Sequence, residues 1–127
     1  EVDALNGAPG SYSARYAGAG AGDEANCDKL LSALEGVPDP DRTARFQCVM
    51  VYMRHSQDPT PVICQGTWEG SILHAPTGEN GFGYDPVFFV PGRRCSAAAL
   101  DPATKNALSH RGQALTQLVA RLAERTA

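Results

Sequence analysis

The sequence predicts an α/β domain. Two observations carry that expectation. Residues 44–55 and 62–73 are runs rich in β-branched and aromatic side chains, the composition of strands. Residues 23–34 before them and 109–125 after them carry apolar side chains at helical spacing. A length of 127 residues suits one domain with a real core.

The elements follow in order. Leu5 to Gly22, "LNGAPGSYSARYAGAGAG", is a loop of small residues with turn chemistry at Asn6-Gly7 and Pro9-Gly10. Asp23 caps a helix to about Leu34, with Leu30, Leu31 and Leu34 facing inward. Gly36 ends it, and "PDPD" (Pro38 to Asp41) makes a rigid turn. "ARFQCVMVYMRH" (Ala44 to His55) is apolar on both faces over Cys48 to Met53, which predicts a strand inside a sheet. After the turn "DPTP", Val62 to Leu73 reads as one or two strands broken near Gly66 and Gly70, in an antiparallel hairpin with the first. "PVFFV" (Pro86 to Val90) is a short buried strand. Asp101-Pro102 opens a helix. Ser109 to Arg125 forms the last one, with Leu115, Leu118, Val119 and Leu122 on its core face.

Composition narrows the function classes. A net charge of -3 supplies no basic stripe, which argues against duplex nucleic acid as a partner. No apolar run approaches the roughly 20 residues of a membrane span. Cys27, Cys48, Cys64 and Cys95 are widely separated and form no Cys-x-x-Cys pair, so they read as reduced thiols of a cytoplasmic protein rather than a zinc site. His55 and His74 lack metal-ligand spacing.

Two stretches carry chemistry. "GENGFGYDP" (Gly78 to Pro86) joins strands and combines three glycines, two aromatic rings and an acid. It is neither a Walker A loop nor a dinucleotide fingerprint. "SHRGQ" (Ser109 to Gln113) places His110 and Arg111 at a helix start, where backbone N–H groups and partial positive charge suit acceptor oxygens. Lys105 is within reach of an anion, and Phe82 or Tyr84 offers a face to a flat ligand. Together these groups suggest a nucleotide. The alternative is a plain turn, a core Phe82 and solvated first-turn cations.

"NGAPGSYSARYAG" (Asn6 to Gly18), "GENGFGYDPVFFVP" (Gly78 to Pro91) and "KNALSHRGQAL" (Lys105 to Leu115) resemble, in order and interval, the Ham1-like inosine/xanthosine triphosphate pyrophosphatases. "RFQCVMVYMRH" and "GTWEGSI" extend the resemblance over nearly the whole chain. Ser11 stands where the family more often has an aliphatic residue. The resemblance implies an α/β fold with a mixed, twisted sheet flanked by helices, in single domains of about 200 residues. It makes residues 1–127 the later two thirds of such a domain, with the first strand and helix lying before Glu1. There the family carries an Asn and a Lys that grip the triphosphate and carboxylates that hold Mg²⁺.

The resemblance also implies site roles. Phe82 stacks on the purine, Gly83 keeps the loop close to the ligand, and Tyr84 shapes the pocket. Asp85 accepts from the base edge, His110 and Arg111 donate to the 6-oxo group, and Lys105 contacts the nucleotide near its phosphates. The implied reaction is hydrolysis of ITP, dITP or XTP to the monophosphate and pyrophosphate by a metal-activated water, in a homodimer. No catalytic base and no metal ligand is assigned among these residues, so the chain alone is expected to be inactive. Ser13 and Arg15 either bind anions or serve a structural loop. The competing reading is a non-catalytic purine-nucleotide-binding or interaction module. Exposed sheet edges predict that the segment alone aggregates or stays molten.

Overall fold

The computed structural model describes residues 1–126. Helix α1 is Asp23–Ala33, α2 Pro102–Leu108 and α3 His110–Thr126; the strands are β1 Thr43–Tyr52, β2 Val62–Ile72, β3 Phe88–Val90 and β4 Cys95–Ser96. The strands form one sheet in the order β1-β2-β3-β4. Its pairings are antiparallel, with Ser71 opposite Phe89 and Phe89 opposite Ser96. The expected mixed sheet is therefore corrected for the described residues. Parallel neighbours need a crossover of a dozen or more residues, and the β1–β2 and β3–β4 links are short turns.

The chain divides into two compact units, Glu1–Arg45 with Glu69–Pro102, and Phe46–Trp68 with Ala103–Ala127. In the first unit, α1 starts after an extended Gly22, and Asp23 and Glu24 place negative charge in its first turn, where the helix dipole favours it. Leu30 and Leu34 are buried, as their spacing predicts, while Leu31 is half-buried. Gly36, at φ +81°, turns the chain just beyond the helix. Buried Arg42 then ties helix end to strand end. Its guanidinium donates to the carbonyls of Leu34, Val37, Ile72 and Leu73 at 2.8–3.2 Å. Predicted strand 86–90 begins only at Phe88, because Asp85–Val87 is a tight 3-10 turn. Pro86, with fixed φ and no N–H, suits such a turn better than a ladder.

In the second unit, β2 alternates strictly, with Val62, Cys64, Gly66 and Trp68 buried. It does not break at Gly66 or Gly70. Gly66 instead admits another backbone, since a Cβ there would collide with the His110 carbonyl at the start of α3. The turn between β1 and β2 is closed by Asp58, which accepts from the Arg54 side chain and from the N–H groups of Arg54 and Thr60.

Two expectations fail here for physical reasons. β1 lies at the end of the strand order rather than inside the sheet, and Val49 and Val51 are exposed, so it is not covered on both faces. Helix α3 does not bury its leucine stripe: Leu115 and Val119 are exposed, and Leu118 and Leu122 half-buried. It lies along the edge of β2 and turns polar side chains toward it. Gln113 donates to the Thr67 carbonyl at 2.9 Å, Gln117 to Gln65 at 2.9 Å, Arg121 to Ile63 at 3.1 Å and Arg125 to Thr60 at 3.4 Å. The helix thus caps unpaired strand carbonyls that would otherwise form an open edge.

Candidate functional site

The glycine loop lies between β2 and β3, in the first unit. Its shape is set by Asp85, only 4% exposed, whose carboxylate curls under the loop and accepts the Phe82 N–H at 2.9 Å. The Asp85 N–H in turn donates to the Phe82 carbonyl. Gly81 sits at φ +77°, and a Cβ there would run into the Asp85 carboxylate. The loop's other end is sewn to the chain beyond β4: Asn80 donates from its backbone to Ala98 and from its side chain to Leu100.

These bonds hold Phe82 out. Its side chain is 60% exposed, so the core alternative for this ring is set aside. Gly83 is fastened to α1 on both sides. Its N–H donates to Asp23 at 2.9 Å, and its carbonyl accepts the Cys27 thiol at 3.4 Å. Burial, with Asp23, Asp28 and Asp85 nearby, pushes the Cys27 thiol up to about 11. Tyr84 turns inward and donates its hydroxyl to the Ser13 carbonyl at 2.6 Å. Burial pushes that phenol up to about 12, and Cys27 adds to the shift.

The "SARY" loop is fixed from the same helix. Asn26, buried in α1, accepts the Ala17 N–H and donates to the Ala14 carbonyl. Arg15 lies over the Tyr12 ring at 5.3 Å.

In the second unit, Lys105 is half-buried in the last turn of α2, and its carbonyl receives the Ser109 N–H. Arg111 is exposed in the first turn of α3. His110 is half-buried, its ring stacked on Phe46 at 4.8 Å and 11° and lying 6.5 Å from Trp68. Sequence reasoning missed Phe46 and Trp68 as the bed of this imidazole. It also missed Asp23, Asn26 and Cys27 as anchors of the two loops.

The family resemblance implies a divalent cation. Among the described residues no three His, Cys, Asp or Glu side chains converge as cation ligands. These residues by themselves do not fit a Mg²⁺ site. No helix among the described residues is long and apolar enough to cross a membrane.

The chain belongs to the Ham1 family, whose family model covers residues 1–121. It is 62% identical over 127 residues to the Vibrio parahaemolyticus protein named dITP/XTP pyrophosphatase, covering all of this chain and 64% of that one. A protein of the same name from Idiomarina loihiensis is 63% identical over 123 residues, 97% of this chain and 61% of that one. Among solved structures, a HAM1 protein from Coxiella burnetii superimposes with a TM-score of 0.92 at 54% identity, covering 97% of this chain and 62% of that one. The Staphylococcus aureus Ham1 protein gives 0.90 at 45%, covering 98% and 63%. The chain therefore spans less than two thirds of the length of the curated relatives it matches.

Proposed function

We propose that this chain supplies the purine-recognising part of a pyrophosphatase that hydrolyses ITP, dITP and XTP to the monophosphate and pyrophosphate, clearing deaminated purines from the nucleotide pool. The observation that carries the reading is Phe82, 60% exposed on a loop whose backbone is fixed by Asp85 and Asp23. A ring held this way offers a stacking face at little cost in entropy on binding. The names of relatives at 62% identity supply the substrate class.

The role of each side chain is a separate proposal. Asp85 accepts from the ring N–H of a 6-oxopurine, Gly83 and Tyr84 hold the loop's approach, His110 and Arg111 donate to the 6-oxo oxygen, and Lys105 contacts a phosphate. Hypoxanthine and xanthine carry an oxygen at position 6 and a proton at position 1. Adenine reverses both, and each buried mismatch costs about 1–3 kcal/mol. A cytoplasmic homodimer that uses Mg²⁺ completes the proposal by resemblance to the family.

The experiment supplies dITP, XTP, dATP and dGTP with Mg²⁺ to protein expressed from the complete reading frame and measures pyrophosphate. Release from dITP and XTP at rates far above that from dATP supports the reading; guanine shares the 6-oxygen and the ring proton, so dGTP reads discrimination by other groups. Tight inosine nucleotide binding with no pyrophosphate would leave a binding module in its place.

A further inference from the structure

We propose that Asp23, in the first turn of α1, is a positioning residue for purine stacking and acts through the backbone of the glycine loop. The inference rests on the reading of Phe82 as the stacking ring. The two N–H groups that flank the Phe82 residue are both held by carboxylates. Its own N–H goes to Asp85 at 2.9 Å, and that of Gly83 goes to Asp23 at 2.9 Å. Asp85 lies within the loop and fixes its internal shape. Asp23 lies 60 positions away and fixes where the loop stands relative to α1. Hydrogen bonds to an ionised acceptor are among the stronger ones.

The same helical turn anchors the neighbouring loop. Asp23 and Cys27 are four apart and so share one side of α1, and both hold Gly83. Asn26, one position before Cys27, holds Ala14 and Ala17. Tyr84 closes the circuit by donating to Ser13. One turn of helix therefore sets the spacing between the glycine loop and the "SARY" loop, and Asp23 is its charged contact with the ring-bearing segment. Gly83, at φ +61°, lends the loop little rigidity of its own, so the external anchor decides its position.

The test uses protein from the complete reading frame with Asp23→Ala, Asp23→Asn and Phe82→Ala, read by calorimetric ITP affinity, the KM and kcat for dITP, and the melting temperature. Both Asp23 variants lose the negative charge at the helix N-terminus, so both melt slightly lower, Asp23→Ala the further because it also loses the bond to Gly83. Only Ala loses the acceptor for Gly83. The expected result is an ITP affinity weakened about tenfold in Asp23→Ala with kcat little changed, the scale of a small misplacement of a binding group. Asp23→Asn, whose amide oxygen still accepts, stays near wild type. Wild-type affinity in Asp23→Ala, or equal impairment of the two variants, overturns the proposal while leaving Phe82 stacking intact. Unchanged affinity in Phe82→Ala removes the stacking reading itself, and the proposal with it.

Discussion

Asp3 shows how one side chain's surroundings become a pH dependence. Arg45 donates to both of its oxygens at 2.9 Å and Thr43 adds a bond at 2.6 Å, which holds the carboxyl down at about 2. A lowered folded-state value contributes stability above the ordinary value of 3.8 and withdraws it as pH falls toward about 2. Acid unfolding followed by circular dichroism should therefore lose part of its slope in that window in Asp3→Asn; an unchanged profile would show the pair to be inert. Cys27 gives a second residue-scale prediction. Its thiol is buried, bonded to Gly83 and pushed up to about 11, and the thiolate is the reactive form. Iodoacetamide at pH 8 should modify the half-buried Cys95 well before Cys27, as read by peptide mass spectrometry, and equal rates would contradict the burial. Neither effect was legible in the sequence. Asp3 precedes the first recognisable element, and the Cys27 environment depends on Gly83, 56 positions away.

At the level of elements, the sequence marks types better than phases. The 3.6-residue period of α3 was visible in its leucines, yet a helix lying on a strand edge turns hydrogen-bonding side chains inward. Gln113, Gln117 and Arg121 bond the strand carbonyls, Ala114 is buried with Leu118 and Leu122 half-buried, and Leu115 and Val119 lie on the exterior. Gln113→Ala, which removes a part-buried donor to Thr67, should lower stability by about 1 kcal/mol, the net value of one such bond. Val119→Ala, at an exposed site, should change it by less than about 0.5 kcal/mol. Urea melts of the two variants decide the matter, and the reverse ranking would restore the leucine stripe as the packed face. The glycine loop was legible as a turn because its residues tolerate positive φ. Its anchorage was not. Asp23 reads as the helix cap, a place that the structure gives to Gly22, and its actual use depends on a loop 60 positions further on.

For the whole molecule, the family could be read from the sequence because three long motifs stand in order, and the family model agrees over residues 1–121. Side-chain exposure could not be read that way. In the second unit Val49, Val51, Ile63, Leu115 and Val119 are all at least half exposed. Apolar groups gathered on a surface promote association. The 127-residue chain expressed by itself is expected to sediment as more than a monomer or to bind a hydrophobic dye with a broad melt. A monodisperse monomer with a sharp cooperative transition would contradict this.

The rungs joining α3 to β2 also obey a vernier. Four residues advance about 6 Å along a helix, and two advance about 6.8 Å along a strand, so the two rulers slip by about 0.8 Å per rung. The donors run Gln, Gln, Arg, Arg, with bonds of 2.9, 2.9, 3.1 and 3.4 Å. The fourth rung already falls on Thr60, ahead of the strand itself. The even two-residue step thus holds for Thr67, Gln65 and Ile63 and ends with β2, since Thr60 lies three positions beyond Ile63.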